Sequence, residues 1–114
     1  KQMTFGTSQE TYFIASPIIP LNTWTHFAVT RDGANAKIYI NGQLSGSISN
    51  SPLTPPGASS TYYPNRLRVG STITDGAVLA NPFNGRMDEL RITDGIVRYT
   101  GDFTPPTAPY PITA

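Results

Sequence analysis

The sequence predicts an all-β fold, an antiparallel β-sandwich, and three observations lead there. Apolar residues recur at every second position in short runs. Turn-forming pairs interrupt those runs about every eight to twelve residues. No stretch carries the apolar period of an amphipathic helix. Composition agrees. Charged residues make up 13% of the 114-residue chain, about half the usual share. Thr (15), Pro (11), Gly (10) and Ser (9) fill the room. The mixture is too rich in Ile, Phe and Tyr for disorder and too poor in Ala, Leu, Glu and Lys for helices. It suits short strands joined by many turns.

The length allows one compact domain. The elements read as follows. The first fourteen residues, KQMTFGTSQETYFI, look like strand rather than signal peptide, and such a beginning predicts a piece of a longer protein. Residues 11–19 are β-prone, with Pro17 and Pro20 confining the later part to an edge or loop. Asn22-Thr23 is a turn. WTHFAVTR then alternates, with Phe27 and Val29 inward and Trp24, at the strand start, in the core. Asp32-Gly33 closes it. In AKIYING, Ile38 and Ile40 share one face and Lys37 and Tyr39 the other. Asn41-Gly42 is the strongest hairpin signal, because a type I′ turn needs φ > 0 at both central residues. QLSGSIS is the return strand, with Gly46 marking a bulge.

Residues 50–65 form a loop of four prolines, longer than the usual connection. RLRVGST is a strand with Leu67 and Val69 inward. A second loop follows, with a short strand at 77–79. GRMDELRIT reads as a strand, with Leu90 and Ile92 at a spacing of two. DGIVRYTGDF carries a turn and one helical turn. The sandwich is expected to span 1–104, and 105–114 to be a proline-rich extended tail.

Several function classes are excluded. The net charge is +1, and the two Lys and six Arg form no basic run, so nucleic acid is not an expected partner. No apolar stretch reaches the length of a membrane span. Cysteine is absent, which disfavours the disulfide-stapled secreted class.

Specific residues then carry a resemblance. NTWTHFAVTRDG, KIYINGQLSGS, LRVGS and FNGRMDELRITDGIVRYTGDFTPP occur in the order and spacing of the concanavalin A-like lectin/glucanase superfamily. More narrowly, the chain resembles laminin-G-like jelly-roll domains, and RYTGDFTPPTAPYP is similar to the ends of such domains in tailed-phage and prophage virion proteins. The resemblance implies a jelly roll and a non-enzymatic structural or recognition module on a virion. Its loops would face glycan or protein, and oligomers with other virion subunits are expected. A carbohydrate-binding module of a secreted or surface bacterial protein is the alternative, and a glycoside hydrolase fragment a third reading. Such sandwiches usually have more residues before the Trp strand. The implied fold is therefore an incomplete sandwich, part of a larger domain or covered by a neighbouring chain.

The chemical candidates are few. Asp88 and Glu89, adjacent on a strand, would point to opposite faces and could not flank one scissile bond. The glucanase strand Glu-x-Asp-x-(x)-Glu is absent, and the other Glu is Glu10. Asp88 is expected to be partly buried and to tie a loop to the sheet, and Glu89 to pair with an Arg. His26 is the sole histidine, so a multi-His metal site is excluded; no Gly-x-Ser-x-Gly accompanies it. The chain is thus expected to be no enzyme and to need no cofactor. Calcium is the one metal the resemblance admits, through Asp75, Asn81 and Asp94, although Asp75 and Asp94 each precede Gly, which is ordinary turn chemistry. Tyr62, Tyr63, Asn65 and Arg66 could form a stacking face with polar groups for a sugar. Packing on the sandwich or on a neighbouring subunit competes with that reading.

Overall fold

The turn at Asn41-Gly42 organises the structure. In the computed structural model, which describes residues 4–6, 12–14, 18–33, 35–49, 69–74, 78–80 and 82–111, Asn41 lies at φ 50° and Gly42 at φ 81°. This is the left-handed pair a type I′ hairpin demands. The described strands are β1 (Thr4–Gly6), β2 (Tyr12–Ile14), β3 (Phe27–Asp32), β4 (Asn35–Ile40), β5 (Gln43–Ile48), β6 (Thr72–Thr74) and β7 (Val78–Ala80). All pairings are antiparallel: β1 with β2, β3 with β4 with β5, and β6 with β7. No helix occurs among the described residues. The all-β expectation holds, and the arrangement fits an incomplete sandwich.

The core sits on β4. Ala36, Ile38 and Tyr39 are fully buried and Ile40 nearly so. Direct partners on neighbouring strands share a face. Val29 faces Ile38, and Ala36 faces Ile48. Val29, Ile48 and Ile19 pack against this apolar side, and each buried Ile contributes about 1.5–3 kcal/mol. Ile38 pairs with Gly46 but Tyr39 with Leu44, so Ser45 is the extra residue of a bulge. The expected bulge is present.

The opposite face of β4, with Lys37 and Tyr39, is covered too, by a strap of residues 97–103. Phe103 N donates to Gly42 O at 2.8 Å. Leu44 N donates to Asp102 Oδ1 at 2.8 Å. Lys37 Nζ donates to Thr100 O at 2.9 Å and Tyr39 Oη to Tyr99 O at 3.4 Å. A Cβ on Gly42 would land on the Phe103 carbonyl, so close approach of strap and turn requires glycine there.

Several expectations need correction. Trp24 is not in the core but 69% exposed. The chain turns at Asn22 (φ 56°), and the Thr23 and Thr25 hydroxyls bond back to the Leu21 and Thr23 carbonyls. Such local bonds compete with a ladder, and β3 starts three residues later than expected. Phe27, expected inward, lies at the end of the sheet and is exposed. Residues 86–93 form no strand. Glu89 is at φ 52°, which breaks the extended conformation, and its N–H is taken by Asp88 Oδ1 at 2.9 Å. Leu90 and Ile92 are exposed. Val69 is exposed at a bend, and the strand begins at Thr72; Leu67 lies outside the described residues. The helical turn expected within 94–103 is absent: the segment bends at 94–95 and 100–101, and residues 97–103 form the strap.

Candidate functional site

The strap leaves a cleft beside the strand-turn face it covers. Thr30 pairs with Lys37, and Lys37 with Ser47. Direct partners point the same way, so a hydroxyl, an ammonium and a hydroxyl form one row across three strands. Asp32 and Asn35 pair in the next row of that face. Val97, Tyr99 and Thr100 of the strap wall the row, and the open cleft between them has a volume of about 310 Å³. Lys37 is half-buried. One of its three N–H donors goes to Thr100 O, and the other two have no partner among the described residues. The arrangement offers alternating donors and acceptors against an aromatic wall, the equipment for holding a hydroxylated molecule.

An aromatic stack fixes the wall. The Tyr99 and Phe103 rings lie 3.6 Å apart at 7°. Tyr39 meets Phe103 edge-on at 5.5 Å and Tyr99 at 6.4 Å. His26 meets Phe103 at 5.5 Å and 78°. The His26 backbone is locked to the hairpin: its N–H donates to Asn41 Oδ1 at 3.0 Å and its carbonyl accepts from Asn41 N at 2.8 Å. Its Nδ1 is buried without a hydrogen-bond partner. Burial, and secondly the Arg91 charge, hold its pKa below the ordinary value. Arg91 Nη2 donates to Tyr99 Oη at 3.4 Å, and its guanidinium lies 3.8 Å from the Tyr110 ring centroid.

A laminin-G-type family model, described as the concanavalin A-like lectin/glucanases superfamily, matches residues 2–97. The chain belongs to that superfamily. No curated protein and no solved structure matches it. Most of the sequence candidates of this laminin-G-like chain fall outside the described residues. Tyr62, Tyr63, Asn65 and Arg66 lie outside the described residues, as do Asp75 and Asn81. Asp94 is exposed at a bend before Gly95 (φ 80°), which is turn chemistry. Among the described residues no three His, Asp or Glu side chains gather as a metal site.

Asn41 and Gly42 hold the laminin-G-like hairpin as expected. Asp88 is exposed and caps the next residue's amide rather than tying a loop to the sheet. Glu89 Oε2 accepts from Tyr110 N at 2.8 Å instead of pairing with an Arg, and so fastens the tail. Sequence reasoning missed the row and its wall. Strand alternation placed Lys37 opposite Ile38, and the Asp32-Gly33 turn would have set Thr30 beside it. Nothing local announced Tyr99, which meets Tyr39 across sixty positions.

Proposed function

We propose that this laminin-G-like domain is a non-enzymatic recognition module that holds a glycan in the cleft on the strap side of its three-stranded sheet. The observation that carries this is the row Thr30–Lys37–Ser47 under the Tyr99 wall. Sugars need hydroxyl-matched donors and acceptors with an apolar or aromatic surface beside them. The cleft volume lies at the small end of known ligand sites, about 300–1,000 Å³, and suits one or two rings.

The test is a titration of the isotope-labelled chain with a panel of neutral mono- and disaccharides. Amide shifts should move at Thr30, Lys37, Ser47 and Thr100, and Lys37→Met should abolish them while the chain stays folded. Shifts absent at millimolar sugar, or confined to other residues, would refute the reading.

The setting we propose is a virion appendage, in which copies of the domain present the cleft outward. Its support is the resemblance of RYTGDFTPPTAPYP to the ends of virion domains. A secreted or cell-surface bacterial protein is the alternative setting. Light scattering decides part of this, with trimers or larger assemblies expected for the virion and a monomer for a tethered carbohydrate-binding module. Protein is the second class of ligand. Trp24, Leu21 and Ile18 stand exposed on one segment, and exposed apolar groups favour protein contact.

A further inference from the structure

We propose that His26 latches the strap over the cleft and that acid releases it. The ring is a contact between the hairpin and the strap. Its backbone is bound on both sides to Asn41 at the turn, and its edge-to-face partner is Phe103. Phe103 in turn stacks on Tyr99, and Tyr99 and Thr100 wall the cleft. A change at His26 therefore reaches the wall through two rings in contact.

The imidazole is poised for such a change. A neutral ring has one N–H and one bare nitrogen; a protonated ring has two N–H groups. Nδ1 is buried with no hydrogen-bond partner. A proton there meets no acceptor, and a buried donor left unpaired is unfavourable. Arg91 adds a like charge. The other ionisable groups on the packed elements are Lys37 and Tyr39 of β4 and Arg98, Tyr99 and Asp102 of the strap; Lys37 Nζ is bound to Thr100 O, Arg98 Nε to Thr93 Oγ1, and Asp102 Oδ1 holds the Leu44 amide.

The depressed pKa agrees with this geometry. A latched chain then binds fewer protons than an unlatched one. The latch is at full strength above about pH 6.5, weakens as the pH falls through that value, and levels off below the folded pKa.

The consequence for binding rests on the glycan reading: freeing Tyr99 and Thr100 opens the wall and weakens retention of the ligand. The latch itself is tested without ligand. Hydrogen exchange at the Phe103 amide, which donates to Gly42 O, is compared at about pH 7.5 and about pH 5 after correction for chemical exchange. Protection should fall in the wild type and in Asp102→Asn, and stay level in His26→Phe, which keeps a ring and removes the titration. An equal fall in His26→Phe, or none in the wild type, would overturn the latch.

Should His26→Phe not fold, the wild type decides. A shared midpoint for the His26 ring and the Phe103 amide shifts supports the latch, and separate midpoints overturn it. The sugar titration distinguishes the two readings. A working latch with no sugar binding removes the cleft reading alone. Sugar binding over a strap indifferent to pH removes the latch alone.

Discussion

Gly42→Ala tests the strap most directly, because Gly33 supplies its own control. Both glycines sit at left-handed φ, 57° at Gly33 and 81° at Gly42. Alanine pays about 1 kcal/mol for that conformation at either position. The surroundings differ. An added Cβ at Gly33 meets nothing within 4 Å, whereas at Gly42 it meets the Phe103 carbonyl. The strap must move away. Lost with it are the Phe103 N–H bond to Gly42 O, about 1 kcal/mol, and a share of the Phe103 ring contacts with His26 and Tyr39, about 0.5–1.5 kcal/mol each. Gly33→Ala should therefore destabilise by about 1 kcal/mol and Gly42→Ala by about 3 kcal/mol. Urea unfolding followed by circular dichroism measures both, with unchanged slopes required for the comparison. Equal losses would mean that the strap does not bear on the turn, and the account of the covered β4 face would fail.

Thermal melting between about pH 8 and about pH 5 should show stability falling through the ordinary histidine range, and the fall should shrink in His26→Phe; an unchanged slope in that variant would contradict the account of the buried Nδ1. Arg91→Ala removes the cation over Tyr110 and the donor to Tyr99 Oη. It should lower stability by about 1 kcal/mol and raise exchange at the Tyr110 amide, and Arg91→Lys should restore little, since the planar guanidinium makes both contacts.

Much of the central hairpin was legible in the sequence because its determinants are local. Asn41-Gly42 dictates the turn type, and alternation through 37–40 assigns the faces. Gly46 signals the bulge, whose extra residue is its neighbour Ser45. The segment 86–93 misled for a physical reason. Its spacing-two pattern at Leu90 and Ile92 is a strand pattern, yet a strand exists only with a ladder partner, and the Glu89 φ of 52° cannot be read from apolar spacing. Trp24 misled similarly, because Thr23 and Thr25 satisfy local carbonyls with their hydroxyls before any ladder begins. The strap is the opposite case. Residues 97–103 show no strong period, since Tyr99 and Phe103, four positions apart, pack on Tyr39 without joining the sheet. Their partners lie near Tyr39 and Gly42, far back in the chain.

The acid pair now stands on different ground. Opposite faces of one strand cannot be the argument against catalysis, because 86–93 is not a strand. Each acid has a structural use for one of its oxygens. Asp88 Oδ1 accepts the Glu89 amide, and Glu89 Oε2 accepts the Tyr110 amide twenty-one positions away. Each carboxylate keeps its second oxygen, so the test is functional: a glycosidase works with two carboxyl groups about 5–9.5 Å apart across a cleft. Glu89→Gln keeps an acceptor oxygen and Glu89→Ala does not. The first should leave Tyr110 amide exchange within a factor of about three of the wild type, and the second should raise it by about tenfold, the equivalent of one hydrogen bond. Asp88→Asn, which also keeps an acceptor, should shift stability by less than about 0.5 kcal/mol. An assay with nitrophenyl glycosides should find no turnover in wild type or variants. Turnover in the wild type that Glu89→Gln removes would make the carboxylate an acid at work rather than a clasp for the tail.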